Sequence, residues 1–279
     1  MLPILARRLL TSGRSALAPL AVALALSGCA TASAPTHVAQ YAPGRIHGYL
    51  RRDELPDMSR VLPPPPAPGS AAFAADLEAY QSASRLQETP RWALAARDAD
   101  LDFPAADAVF SCALGIPISE SATPQLHLLL RRTLVDALDG TDTTKDRYRR
   151  KRPFMVTGDP TCKPEREPQM KAQSYPSGHA SVGWAWALAL VQIAPERAEP
   201  ILRRGYAFGM SRVVCRAHWK SDVEAGRTVA AAVVSRLHAN RAFVAQMAEA
   251  KKEVERANQD GERSPQDCTA EAKALAEGP

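Results

Sequence analysis

Apolar residues recur at helical spacing along most of this chain, and strand patterns are nearly absent. In the segment that starts at Thr123-Pro124, leucines repeat every three or four residues as far as Gly140, which is typical of a helix with one buried face. Residues 180–194 are almost wholly apolar and are bounded by Pro195, which predicts a buried core helix too short to span a membrane.

The same periodicity predicts five further helices, over about 71–88, 142–151, 197–213, 221–238 and 243–256. Ser70 can cap the first of them, and Ser221-Asp222-Val223-Glu224 has the spacing of a capping box. The segment 154–176 combines several prolines and charges and predicts a long loop. The pattern as a whole predicts an all-α fold, a single-domain helical bundle with one core.

The N-terminal residues have the composition of a processed segment. Three arginines precede a short apolar run that ends at Leu26-Ser27-Gly28-Cys29, which predicts an export signal over residues 1–28. Small residues leading into a cysteine resemble the lipobox of bacterial lipoproteins, in which Cys29 would be lipidated; the alternative is a plain secretory signal. Ala30, where inner-membrane lipoproteins have Asp, predicts a periplasmic protein anchored to the bacterial outer membrane through Cys29.

Residues 29–57 are small, polar and irregular, and they predict a tether between this anchor and one domain over 58–252. Residues 253–279 predict a disordered tail. Because the signal holds three arginines and no acidic residue, its removal lowers the net charge from +5 to +2. Since no basic patch is interleaved with aromatic residues either, we expect no nucleic-acid partner.

Four cysteines remain beyond Cys29, namely Cys112, Cys162, Cys215 and Cys268. An even number in an exported chain permits disulfides, and the sequence leaves three pairings open. None of the four has the CxxC spacing of a zinc site, and the histidines outside the motifs below lack ligand spacing with a carboxylate or thiol. We therefore expect no metal and no cofactor.

Three short segments carry residues suited to chemistry on a phosphoryl group. They are Lys145 followed after six residues by Arg152-Pro153; Pro176-Ser177-Gly178-His179; and Ser211-Arg212 followed by His218 and Asp222. Lys145, Arg152 and Arg212 are three cations that can converge on one phosphoryl group, whose transition state spreads negative charge over three oxygens. The basic residues between the first two cations are expected on a solvated face: Arg147, Arg149, Arg150 and Lys151.

The second segment lies directly before the apolar helix, where free backbone N–H groups and the positive end of the helix dipole favour an anion. Gly178 allows close approach of the backbone, the Ser177 hydroxyl adds a donor, and His179 is placed to protonate a leaving oxygen. In the third segment, the Asp222 carboxylate is close enough to hold one nitrogen of His218 and to leave the other free to attack. Taken alone, each segment has a purely structural interpretation.

Together, and in this order, the segments match the signature of the type 2 phosphatidic acid phosphatase superfamily, which includes bacterial acid phosphatases and vanadium haloperoxidases. Every position of that signature is occupied. Four further segments resemble the class A nonspecific acid phosphatases of bacterial periplasms: Leu62 to Pro66, Ile118-Ser119-Glu120, Gly183-Trp184 and His218 to Asp222. The resemblance covers roughly residues 58–250.

This resemblance implies a helical fold of the acid phosphatase and vanadium haloperoxidase type. It also implies two-step, metal-independent hydrolysis of phosphate monoesters, with phosphorylated small molecules as substrates over a broad range. His218 resembles the nucleophile that becomes a phosphohistidine, Asp222 orients it, and His179 protonates the leaving alcohol and then assists water. The implied phosphate ligands are Lys145, Arg152, Ser177, Gly178 and Arg212. Related enzymes form dimers or larger assemblies, so self-association is an expectation.

Three other functions stay open. A lipid phosphate phosphatase would be held beside its substrate by the anchor, although membrane members of the superfamily carry several spanning helices and this chain has none after the signal. A vanadium haloperoxidase would hold vanadate in the same pocket, against the indication of the acid-phosphatase-like flanking segments. A non-catalytic lipoprotein that binds phosphorylated ligands would be expected to lose a cation or the nucleophile, and none is lost.

Overall fold

The structure, a computed structural model, describes residues 34–278. The predicted signal over 1–28 and the predicted lipidation site Cys29 lie outside the described residues. The described part is built from helices and one short hairpin, which confirms the all-α prediction. Among these residues, no helix has both the length and the apolarity needed to cross a membrane.

The helices are joined by connections of unequal length, the longest of which is 158–177. In order they are α1 (Ala71–Ser84), α2 (Pro90–Asp98), α3 (Ser111–Leu114), α4 (Pro124–Asp139), α5 (Asp142–Tyr148), α6 (Pro153–Thr157), α7 (Gly178–Ile193), α8 (Ala198–Val214), α9 (Lys220–Leu237), α10 (Arg241–Gln259) and α11 (Cys268–Ala276). Short 3₁₀ helices lie at Arg52–Glu54, Met58–Arg60, Ala105–Phe110, Pro164–Gln169 and Pro195–Arg197. Strands β1 (Gln40–Ala42) and β2 (Arg45–Ile46) form an antiparallel hairpin.

Helix α7 lies at the centre of the bundle, where it packs against α4, α8, α9 and α10. A helix that is apolar on every face needs such a position, because no side of it can face water at low cost. Two glycines let α7 and α8 approach closely: a Cβ on Gly183 would lie 2.2 Å from Phe208, and one on Gly205 would lie 2.5 Å from Ala187. The buried Trp186 donates from Nε1 to the carbonyl oxygen of Leu130 (2.9 Å), which ties α7 to α4.

The predicted helices all exist, with ends within a few residues of those expected. The structure adds elements that the pattern did not predict: α2, α3, α11, the hairpin, and the short helix α6 inside the predicted loop 154–176. Helix α9 also starts differently, since its N-cap is Trp219 and the Asp222 carboxylate accepts from the Trp219 N–H (2.8 Å). The predicted capping box placed that role on Ser221 and Glu224.

The described part of the predicted tether is packed against the domain. Tyr49 and Leu50 are buried, and their backbone N–H groups donate to the carboxylate of Asp136 on α4 (2.8 and 3.0 Å). The buried carboxylate needs such donors, and Gly48 leaves room for it, since a Cβ there would lie 2.1 Å from Asp136 Oδ1. The composition of the predicted tether did not indicate that these two apolar residues are buried.

The predicted tail is also ordered as far as the structure describes it. Helix α10 continues to Gln259, and α11 is joined to the rest of the domain by the disulfide Cys112–Cys268. Glu271 of α11 pairs with the buried Arg204 of α8 (3.5 Å). A second disulfide, Cys162–Cys215, completes the pairing that the sequence left open. The polar composition of this segment predicted disorder, because composition does not indicate which cysteine Cys268 is bonded to.

Candidate active site

The three motif segments meet at the N-terminal end of α7. Arg152 Nη1 lies 2.8 Å from Nε2 of His218, which joins the first segment to the third. The Lys145 ammonium donates to the carbonyl oxygen of Pro176, directly before the helix (2.5 Å). The Ser177 N–H donates to the carbonyl oxygen of Asp222 (2.9 Å), which joins the second segment to the third. All three segments therefore line one site.

The hydrogen bonds of His218 define its tautomer. The side chain is 3% exposed, and its Nδ1 lies 2.8 Å from the carbonyl oxygen of Ser174. A carbonyl only accepts, so Nδ1 carries the hydrogen; Arg152 only donates, so Nε2 presents its lone pair to that guanidinium. Burial, together with Arg152 and Arg212, holds the pKa of His218 well below its usual range. The result is a neutral imidazole whose Nε2 lone pair accepts from Arg152 and faces the cations.

Asp222 lies behind His218, with its side chain 0% exposed. Its Oδ1 accepts from Arg150 (2.6 Å), and its Oδ2 accepts from the Ser174 hydroxyl (2.5 Å) and the Trp219 N–H (2.8 Å). Oδ2 is 3.6 Å from Nδ1 of His218, an ion-pair distance rather than a hydrogen bond. The Ser174 carbonyl is thus the nearer acceptor for Nδ1–H, and Asp222 supplies negative charge just beyond it.

The three cations are confined in a site with little solvent. Burial next to Arg152 lowers the pKa of Lys145 to about 7, and burial lowers the pKa of Arg152 to about 10. Burial and Arg152 lower the pKa of Arg212 to about 9. Arg212 is 1% exposed, and its Nε and Nη1 have no hydrogen-bond acceptor within the described part of the chain. Buried positive charge of this kind is stabilised when an anion binds.

His179 stands in the first turn of α7, on the same site. Its Nε2 lies 3.2 Å from the carbonyl oxygen of Ala99, so Nε2 donates, and its ring stacks on Phe208. The remaining nitrogen, Nδ1, is the one that gains or loses a proton. Burial and Arg212 hold the pKa of His179 well below its usual range. A bound phosphate raises that pKa, because its negative charge opposes the surrounding cations.

The loop before α7 caps the helix through Ser177 and leaves space beside the cations at Gly178. The Ser177 hydroxyl accepts from the Ala180 N–H (3.3 Å) and so caps the helix, with Ser177 itself fully buried. Gly178 faces the cations, since a Cβ built on it would lie 3.6 Å from Nζ of Lys145. The absence of a side chain keeps the helix N-terminus open beside the ammonium group, which suits the binding of an anion.

Comparison with known proteins bears on the same segments. A profile described as the PAP2 superfamily matches residues 124–243, the range that contains all three. A "Non-specific acid phosphatase" of Providencia stuartii is 44% identical over 207 residues, which cover 74% of this chain and 84% of that protein.

The chain belongs to the PAP2 superfamily.

Two further relatives cover similar shares of this PAP2 chain. An "Acid phosphatase" of Zymomonas mobilis is 41% identical over 197 residues, 70% of this chain and 75% of that protein. A "Non-specific acid phosphatase" of Salmonella typhimurium is 37% identical over 223 residues, 79% of this chain and 89% of that protein. Similarity therefore extends well beyond the three motif segments.

Three residues of this PAP2 site were not predicted: Asp76, Arg150 and Ser174. Arg150 was expected on a solvated face, and that expectation is wrong, since its side chain is 9% exposed and pairs with both Asp76 and Asp222. One signal existed for Asp76, which lies three residues after Phe73 and four before Tyr80, on the apolar face of α1. No sequence signal indicated Ser174, because a single serine in a loop forms no recognisable pattern.

Proposed function

We propose that this acid phosphatase hydrolyses phosphate monoesters in two steps, through a phosphohistidine formed on Nε2 of His218. One observation carries the proposal: the lone pair of Nε2 faces Arg152 at a site where two half-buried cations, Lys145 and Arg152, lie with the buried Arg212. A phosphoryl group bound by those cations would have its phosphorus in front of the lone pair. The acid phosphatase names of three relatives support the same reaction class.

In the first step, Lys145, Arg152 and Arg212 hold the phosphoryl oxygens, with the backbone N–H groups at the start of α7. Nε2 of His218 attacks phosphorus in line, the P–N bond forms, and the P–O bond to the alcohol breaks. His179, protonated once the phosphate is bound, gives its proton to the leaving oxygen. The phosphorylated imidazole is then cationic, and the Ser174 carbonyl and the Asp222 carboxylate stabilise its Nδ1–H.

In the second step, water takes the place of the departed alcohol. His179 is now neutral and accepts a proton from the water as its oxygen attacks phosphorus. The P–N bond breaks, its electron pair returns to Nε2 of His218, and inorganic phosphate leaves. Because the same histidine first gives and then receives one proton, the site ends the cycle as it began.

We also propose that the reaction needs no metal and accepts many alcohols. The support for metal independence is that three side-chain cations of the protein already converge on the phosphoryl position, which is the role that divalent ions play in other phosphoryl-transfer sites. Breadth of substrate follows if recognition is concentrated on the phosphoryl group, the part of the substrate that Lys145, Arg152 and Arg212 would bind.

For its location we propose the periplasmic side of the outer membrane, with Cys29 as the lipid-anchored residue. Two disulfides within the described residues, Cys112–Cys268 and Cys162–Cys215, support an oxidising compartment. The lipobox-like sequence at Leu26 to Cys29 supports the anchor. Metabolic labelling with a fatty acid analogue tests this, and a Cys29→Ser variant should carry no label.

The catalytic proposal is tested by hydrolysis of p-nitrophenyl phosphate across pH, with a chelator present, by the full-length chain. We expect chelator-resistant activity that vanadate inhibits, and a loss of at least about 10³-fold in His218→Ala, as is typical when a covalent nucleophile is removed. His37→Ala is the matched control, because the His37 side chain is exposed on the N-terminal segment. Full activity in His218→Ala would overturn the mechanism.

A further inference from the structure

A chain of buried charges runs from α1 to the back of the candidate nucleophile. Arg150 Nη2 donates to Asp76 Oδ2 (2.7 Å), and Arg150 Nη1 donates to Asp222 Oδ1 (2.6 Å). Asp76 is 2% exposed, although it lies on α1, 69 residues before Lys145, the first motif residue. One guanidinium therefore joins two buried carboxylates, and the second of them lies beside His218.

Arg150 is held in a fixed orientation by further contacts. Its Nη1 also donates to the Ser221 hydroxyl (2.8 Å), and the guanidinium lies over the ring of Trp219, 5.5 Å from the centroid. Asp76 in turn accepts from the N–H and the hydroxyl of Ser221 (2.8 and 2.6 Å). A network in which each partner is itself hydrogen-bonded can hold one geometry, which an isolated exposed ion pair cannot.

This network approaches Asp222 from the side away from the nucleophile. Arg150 binds Oδ1, whereas Oδ2 is the oxygen that lies 3.6 Å from Nδ1 of His218. Of the three donors to this carboxylate, the Arg150 guanidinium is the one that carries charge; the others are the Ser174 hydroxyl and the Trp219 N–H. Burial raises the pKa of Asp222, and the charge of Arg150 acts in the opposite direction by favouring the ionised carboxylate.

We propose that Arg150, oriented by Asp76, is a positioning residue that keeps Asp222 ionised and in place behind His218. The proposal rests on the phosphohistidine mechanism above, since it assigns Arg150 a share in stabilising the imidazolium that forms when His218 is phosphorylated. Both terminal nitrogens of Arg150 are already bound within the network, so Arg150 acts through Asp222 and not on the substrate phosphate.

The alternative is that Arg150 only stabilises the fold, by neutralising two buried carboxylates. The single variant Arg150→Met cannot separate the two roles, because it leaves Asp76 and Asp222 unpaired and destabilises the protein. The double variant Arg150→Met with Asp76→Asn removes one of those charges as well. The Asn carbonyl can still accept from the Ser221 N–H, and the Ser221 hydroxyl can turn to accept from the amide, so the instability that comes from Asp76 is removed and only that from Asp222 remains.

The decisive comparison is therefore the double variant against wild type. We expect its kcat for p-nitrophenyl phosphate to fall about 10- to 100-fold, the range seen when the partner of a site residue is removed, with KM changed less than about threefold. Asp76→Asn alone should lower kcat less, because Arg150 stays bound to Asp222. Arg150→Lys should recover part of the loss, since it keeps the charge and gives up the two-pronged geometry.

The pH profile gives a readout that a purely structural role would not move. The charged or titratable groups that face Asp222 are Lys145, Arg150, Arg152, Tyr175 and His218, and Asp76 pairs with Arg150. Without Arg150, the pKa of Asp222 rises, so the acidic limb of kcat moves to higher pH in the double variant. The same limb should stay in place in Arg147→Met, the matched control, because Arg147 is exposed and bonds only the Ser59 carbonyl among its described polar contacts.

Two outcomes separate this proposal from the proposed function. If His218→Ala is inactive and the double variant, shown by circular dichroism to be folded at the assay temperature, keeps wild-type kcat and pH profile, the role of Arg150 is overturned and the mechanism stands. If His218→Ala is active, both are overturned. A double variant whose kcat falls while its acidic limb stays fixed would also contradict the proposal, because positioning through Asp222 requires the limb to move.

Discussion

At the scale of single residues, the site is dominated by positive charge held away from water. Arg212 is buried, Lys145 and Arg152 are half-buried beside it, and each of the three has its pKa lowered by burial. Because burial disfavours these cations, a bound anion stabilises their charged forms. The same reasoning makes Lys145 the cation whose charge changes within the physiological range.

Anion binding should therefore weaken as the pH rises through about 7, the pKa of Lys145. Below that pH the ammonium is charged, and above it the group becomes neutral, so affinity falls by up to about tenfold per pH unit. The measurement is the inhibition constant of sulfate, which stays fully ionised, between pH 6 and 8. Lys145→Arg should shift the weakening to higher pH, because Arg stays charged; an unchanged pH dependence in that variant would contradict this assignment.

A site residue could be predicted where its type and spacing match a known motif, and not where only tertiary packing places it. His179, His218 and the three cations were predicted, because their types and spacing repeat a known signature. Arg150 was misplaced, because the four basic residues between Lys145 and Arg152 look like a solvated surface, and only tertiary packing selects the one whose side chain is buried. Direct acceptance of Nδ1–H by the Ser174 carbonyl was unpredictable, since a backbone atom has no sequence identity.

At the scale of elements, helix ends are stabilised by groups from distant parts of the chain. Glu253 of α10 accepts from the N–H groups of Gln125 and Leu126 (3.0 Å each), at the first turn of α4. This carboxylate takes the place of a local N-cap, since the Thr123 side chain makes no capping hydrogen bond to α4. A helix start satisfied from outside depends on the packing of both helices.

Removing that carboxylate should destabilise the fold without altering the chemistry. We expect Glu253→Ala to lower the free energy of unfolding by about 1–2 kcal/mol, the upper part of the range for a lost helix cap, because two buried N–H groups lose their acceptor. Urea denaturation measures the change. Glu255→Ala, exposed on the same helix, is the control and should lie within about 0.5 kcal/mol of wild type. Equal stability of the two variants would refute the capping role.

Elements were predicted where apolar periodicity is strong and missed where other forces decide. Helices α4, α7, α8 and α9 each bury a long apolar face and were placed within a few residues. Helix α11 buries little apolar surface and is fixed by a disulfide, so its composition indicated a disordered tail. Likewise, Tyr49 and Leu50 are ordered by the buried carboxylate of Asp136, a partner 87 residues away for Tyr49 that no local pattern reveals.

At the scale of the whole molecule, the C-terminal segment is part of the folded domain. The disulfide Cys112–Cys268 closes a loop across 156 residues, and Glu277 accepts from the backbone N–H of Arg91 (3.0 Å). Arg91 also donates to the Ser211 hydroxyl (2.9 Å), next to Arg212 of the site. The end of the chain thus supports the wall of the site through Arg91.

Loss of this disulfide should lower the stability of the whole domain. We expect the double variant Cys112→Ser with Cys268→Ser to lower the free energy of unfolding by about 2–5 kcal/mol, because its unfolded chain is less constrained. Guanidinium denaturation under oxidising conditions measures this. In reducing agent, where the wild type loses the bond too, the difference should disappear. An equal stability of the two proteins under oxidising conditions would show that the bond adds nothing.

The central claim is that His218 is phosphorylated during turnover. Its most direct test is rapid mixing of the full-length protein with a phosphate monoester labelled with ³²P, an alkaline quench that preserves phosphohistidine, and peptide mapping by mass spectrometry. The account predicts base-stable, acid-labile label on the peptide that contains His218, and none in His218→Ala. Label on another residue, or turnover with no label trapped at any mixing time while His218→Ala stays active, would contradict it.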